Sequence, residues 1–145
     1  MNILRRPFAE KAYGIPPEQA IGRSGKLRFE LRDGKPILTK LPEINFYDDE
    51  AAKPIAIQNF LGRRPTAAFC NCERDLQMLQ WSCDTIAVRF CLCVHHDDAA
   101  REWANDRQSK IGTLNKGLDE AKTDGWTVAS METTGRLSWC RNRNE

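Results

Sequence analysis

Polar and apolar residues alternate most regularly over Lys26-Leu27-Arg28-Phe29-Glu30-Leu31-Arg32. A period of two puts Leu27, Phe29 and Leu31 on one side of a strand and the charged residues on the other. Asp33-Gly34 then offers a two-residue turn of the type that needs positive φ, and Lys35 to Lys40 returns. This predicts a β-hairpin over about 26–40 with one buried and one wet face. Ahead of it, Arg6 to Tyr13 reads as a short helix stopped by Gly14, with Pro17 opening one more turn. After it, Pro42 to Glu50 reads as an acidic loop. Ile57, Phe60 and Leu61 recur at helical spacing, so a helix is predicted from Pro54 to Leu61, closed by Gly62.

The pattern changes beyond Pro65. Thr66 to Cys70 and Ile86 to Val94 are short apolar runs without alternation, as in strands covered on both faces. Asn71 stands where a helix N-cap belongs, Glu73 and Asp75 suit a first helical turn, and Leu76 and Leu79 face inward. His95-His96-Asp97-Asp98 ends the second strand and is expected to cap a helix through Asn105. Thr113 is expected to cap another, with Leu114, Leu118 and Ala121 on one face and Gly125 beyond its end. Trp126 to Met131 is a third strand, and 133–145 is a loose polar tail. Strands alternating with helices predict an α/β fold with a parallel sheet. Chemistry in such sheets lies at the carboxyl ends of the strands, here Asn71 to Asp75 and His95 to Asp98.

Composition narrows the function classes. With 145 residues the chain suits one domain, and 41% hydrophobic with 29% charged residues mark it as globular. A net charge of +2 from 22 basic and 20 acidic residues argues against a basic nucleic-acid surface. No apolar run approaches the roughly 20 residues of a membrane helix, and the opening segment has no signal-peptide core, so a cytoplasmic location is expected. Six cysteines, at 70, 72, 83, 91, 93 and 140, are not expected to form a disulfide framework there. Cys91, Cys93 and His95 share one strand face, and thiolate with imidazole suits zinc or another soft metal. Strand neighbours two apart are separated by about 6.6 Å, however, which suits small core residues better than chelation. Lys53, just ahead of Pro54, is placed where a cation gains nothing from the helix but can attract an anion.

Several of these segments together resemble the haloacid-dehalogenase-like (HAD) phosphatases, and most closely a phosphoserine-phosphatase-like bacterial branch. The resemblance runs through Tyr13-Gly14-Ile15-Pro16-Pro17-Glu18-Gln19, the Asp33-Gly34 hairpin and Lys53-Pro54. It continues through Gly62-Arg63-Arg64-Pro65, Ala67-Ala68-Phe69, Asn71, Asp75-Leu76-Gln77-Met78-Leu79, Val94-His95-His96-Asp97-Asp98 and Arg101-Glu102-Trp103. It covers residues 1–132.

The resemblance implies a partial Rossmann-like HAD core, a parallel sheet with flanking helices, plus the β-hairpin. It implies a Mg²⁺-dependent hydrolase of small phosphorylated substrates, in which Lys53 holds the phosphate and Asn71 and Asp75 stand at or beside the metal. The family's nucleophile is an aspartate in a D-x-D-x-T/V motif, and that motif occurs nowhere in the chain. The expectation is therefore a later portion of such an enzyme, inactive alone. An exposed sheet edge would offer pairing with its own copy or with a complementing chain, and the complementing subunit of a split phosphatase is one alternative reading. Neither a nucleic-acid nor a membrane partner is expected. The family loop G-N-S-x-G-D is here Cys70-Asn71-Cys72-Glu73-Arg74-Asp75, and a side chain replacing a glycine of positive φ would cost roughly 1 kcal/mol. The rival reading is a thiol and histidine protein for a soft metal.

Overall fold

The computed structural model describes residues 5–84, 88–104 and 107–134, and the chain divides into two compact units, 1–63 and 64–145. Ile86, Asn105 and most of the polar tail lie outside the described residues.

The first unit holds helix α1 (Arg5–Tyr13), a 3-10 turn (Pro17–Gln19), strands β1 (Ser24–Arg32) and β2 (Lys35–Phe46), and helix α2 (Ala52–Leu61). α1 ends at Gly14, whose φ of 66° lets its amide reach back to the Glu10 carbonyl. β1 and β2 pair antiparallel around Asp33 and Gly34, both at positive φ, so the predicted turn is present. The hairpin is longer than expected, because β2 continues through Pro42 to Phe46, a segment expected to be loop. Register shifts between Ser24 and Leu27 lie opposite this stretch, where a ladder tolerates a residue that lacks an amide proton. The expected burial of one hairpin face does not occur. Leu27, Phe29 and Leu31 are exposed, Phe29 by 64%. On α2 the residue that is buried is Ala56, while Phe60 and Leu61 remain exposed, which corrects the helical face read from spacing. α2 also starts two residues earlier than predicted, so Lys53 lies inside its first turn rather than ahead of it.

The second unit holds β3 (Ala67–Cys70), a 3-10 turn (Glu73–Asp75), α3 (Leu76–Cys83), β4 (Phe90–His95), α4 (Lys116–Asp124) and β5 (Thr127–Ser130). The three strands form one parallel sheet in the order β3-β4-β5. Right-handed crossovers between consecutive neighbours place both connecting helices on one face. The core agrees: Leu79 of α3 and Leu118 of α4, with Leu114, pack on Ala68, Cys70, Cys91 and Cys93. Burial alternates along β3, so Phe69 points to the other face, where it meets Phe90 edge-on with centroids 5.7 Å apart and both rings exposed. Among the described residues β3 pairs with β4 alone.

Two helix expectations need correction here. After Asp98 the described residues form a turn, not a helix, because the Asp98 carboxylate accepts the amides of Ala100 and Arg101, both at 3.1 Å, and closes the backbone on itself. Thr113 does not cap α4; its hydroxyl is bonded to the Ser109 carbonyl, and α4 begins at Lys116. No helix among the described residues is long and apolar enough to cross a membrane.

Candidate functional site

The parallel strands of the second unit deliver three loops to their carboxyl ends: Asn71 to Asp75 after β3, His96 onward after β4, and Met131 onward after β5. The β3 loop is held from outside. The Glu73 amide donates to the Thr113 carbonyl at 2.8 Å, and Glu73 Oε1 accepts the amides of Asn115 and Gly117 at 2.6 and 2.8 Å. Those amides open α4, whose own N-cap side chain makes no capping bond, so Glu73 caps a helix more than 40 residues away in sequence. A carboxylate at that end also meets the positive pole of the helix. Gly117 makes room for it, since a Cβ there would meet Leu114 at 3.0 Å and Glu73 Oε1 at 3.5 Å. Sequence reasoning placed Glu73 as a first-turn acid of its own helix; nothing local signals a cap for another element.

Asn71 is not the N-cap it was expected to be. Cys72, extended at φ −160°, precedes the 3-10 turn, and Asp75 sits at the start of α3 without a side-chain capping bond. The Asp75 carboxylate instead lies 3.7 Å from the Cys72 sulfur. The strain expected from replaced glycines is absent: among the described residues only Asp33 and Glu50 combine a side chain with positive φ, so Cys70 and Arg74 do not. The structure thus brings Asn71 and Asp75 onto one anchored loop. Lys53 belongs to the first unit and lies on α2.

The acids after β4 are engaged in loop structure. Asp97 approaches His95 Nδ1 at 3.4 Å and accepts the Glu132 amide at 2.9 Å, tying the β4 loop to the β5 loop. Burial works against its ionised form, but the Ser130 hydroxyl, the backbone amides and His95 outweigh this and hold it below the usual aspartate range. Asp98 is lowered in the same way, burial being overcome by the Arg101 guanidinium and the amides it accepts. Arg101 also donates to the Met131 carbonyl, and His96 Nδ1 is 2.8 Å from Glu102 Oε2.

Cys91 and Cys93 are buried core residues as expected, but one disulfide was not expected. Cys83 and Cys91 are joined in a disulfide, so the Cys91 sulfur is not a thiolate ligand alongside Cys93 and His95. Cys70 and Cys93 are buried and face each other across β3 and β4, with sulfurs 3.1 Å apart. Among the described residues no group of three or more His, Cys, Asp or Glu side chains is placed to hold a metal ion.

No protein-family model and no curated protein matches this chain.

Proposed function

We propose that this chain is the later portion of a HAD-type phosphomonoester hydrolase, with a Rossmann-like core, and that it does not turn over substrate on its own. One observation carries the reading. Asn71 and Asp75 lie on a loop at the carboxyl end of a parallel strand, and Glu73 anchors that loop to the opening of α4. Carboxyl ends of parallel strands are where α/β folds position their ligands.

The donors suit Mg²⁺ in kind. Asn71 and Asp75 offer hard oxygens, and Mg²⁺ characteristically takes one or two carboxylates together with waters and phosphate oxygens. Cys72 is too soft to join them. In this reading Mg²⁺ supplies neutralising charge to a phosphoryl group when bound. Within the second unit Asp75 and Asn71 would hold the cation and Glu73 keeps their loop in place; the phosphate-binding role of Lys53 comes from the resemblance alone. The family's nucleophilic aspartate lies in a D-x-D-x-T/V motif that these residues do not contain.

Two measurements test it. With p-nitrophenyl phosphate and Mg²⁺ the chain should show no hydrolysis above buffer; turnover abolished by Lys53→Ala or Asp75→Asn would overturn the claim of inactivity. Mn²⁺, used as a paramagnetic stand-in, should broaden the amide resonances of Asn71 to Asp75 in the wild type and not in Asp75→Asn. Broadening that spares this loop would remove the metal assignment.

A further inference from the structure

Cys70 and Cys93 are register partners on neighbouring parallel strands, and both are buried, Cys93 completely. Their separation of 3.1 Å decides what the pair suits. Two thiolates on a tetrahedral zinc, each about 2.3 Å from it, stand about 3.8 Å apart, and zinc needs further ligands that no group of three or more His, Cys, Asp or Glu among the described residues supplies. A disulfide of about 2.05 Å needs the sulfurs to close by about 1 Å, within reach of side-chain rotation. The contact also suits oxidation, because whichever sulfur is oxidised first has the second thiol beside it to resolve it. Oxidised sulfur already lies alongside, in the Cys83–Cys91 disulfide two residues from Cys93.

We propose that Cys70 and Cys93 form a peroxide-oxidisable dithiol that closes into a second disulfide, joining β3 to β4. One sulfur of the pair, having given up its proton, attacks one peroxide oxygen and breaks the O–O bond. It becomes a sulfenic acid, and the departing hydroxide takes a proton to leave as water. The partner sulfur then attacks the sulfenic sulfur, the S–S bond forms, and the second oxygen leaves as water with the remaining thiol proton. Two thiols and one peroxide give one disulfide and two waters. Of the two, Cys70 keeps slight solvent exposure and Cys93 none. This inference does not depend on the phosphatase reading.

Tryptic mapping without reduction tests it directly, because cleavage separates the cysteines into peptides 64–74, 75–89 and 90–101. The protein is treated with hydrogen peroxide, unfolded, blocked with N-ethylmaleimide and digested. Untreated protein should give 75–89 joined to 90–101, with peptide 64–74 separate and carrying label on both Cys70 and Cys72. Peroxide should join all three peptides, leaving label on Cys72 alone within them, and dithiothreitol should undo the junction. The Cys72→Ser variant should form the same three-peptide species. Retention of label on Cys70 after peroxide, a junction through Cys72, or overoxidised sulfur without any junction would each overturn the proposal.

Discussion

The two units make secondary structure equally well and bury it very differently. In the first, a long hairpin and two helices enclose a single buried residue among those described, Ala56. In the second, strands of four to six residues support a core of Ala68, Cys70, Leu79, Cys91, Cys93, Leu114 and Leu118. The difference is one of layers. A two-stranded ribbon satisfies its backbone hydrogen bonds but offers no opposing surface, so Phe29 and Leu31 stay wet despite perfect alternation. A parallel sheet requires crossovers, and the crossover helices are themselves the second layer.

This contrast can be broken most readily at Leu79. Leu79→Ala should cost the second unit about 2–5 kcal/mol, whereas Leu31→Ala should change stability by no more than roughly 0.5 kcal/mol. Urea unfolding followed by tryptophan fluorescence reports the former, and equal losses in the two variants would show that the hairpin face is buried after all. Ser82, on α3, is buried, and its hydroxyl has no hydrogen-bond partner among the described residues. Ser82→Ala should therefore stabilise the second unit by about 1 kcal/mol, and a clear loss in thermal melting would mean that the hydroxyl is satisfied. Glu73→Ala should cost about 1 kcal/mol through loss of the α4 cap, with Glu73→Gln losing less because an acceptor oxygen remains. Amide exchange at Asn115 and Gly117 should rise in step; unchanged exchange would show that the cap is dispensable.

The smallest effect expected is acid lability. Asp97 and Asp98 titrate below the ordinary range in the folded protein, near 4 when unfolded. Their contribution is therefore complete above about pH 4 and lost as pH falls through the lower folded values. Glu30 of the hairpin is lowered too, chiefly by the Thr39 hydroxyl and then by Arg28 and Arg32, but it is exposed and solvent screens it. The denaturation midpoint of Asp98→Asn should be less sensitive to pH below 4 than that of the wild type, and Glu30→Gln should scarcely differ from it.

Much of the second unit was legible in advance. The three strands, α3 with Leu76 and Leu79 inward, and the parallel arrangement follow from apolar runs that lack alternation and are separated by helical spacing. The Asp33-Gly34 turn was equally plain, because positive φ at both positions selects those residues. The candidate site was legible only in part. Its loop and the position of Asp75 follow from the strand's end, but the Glu73 cap joins residues separated by more than 40 positions and has no local signature.

What the sequence determined by itself is local: turn conformation, helix stops at Gly14, Gly62 and Gly125, and the period that separates a hairpin from a crossover sheet. Each depends on a residue and its near neighbours, so each can be read along the chain. Tertiary structure decided which apolar faces are covered, which acid caps which helix, and which cysteines meet. Cys70 and Cys93 are 23 positions apart, and strand register alone brings their sulfurs within 3.1 Å. Register is set by whole strands packing against helices, and no single residue encodes it.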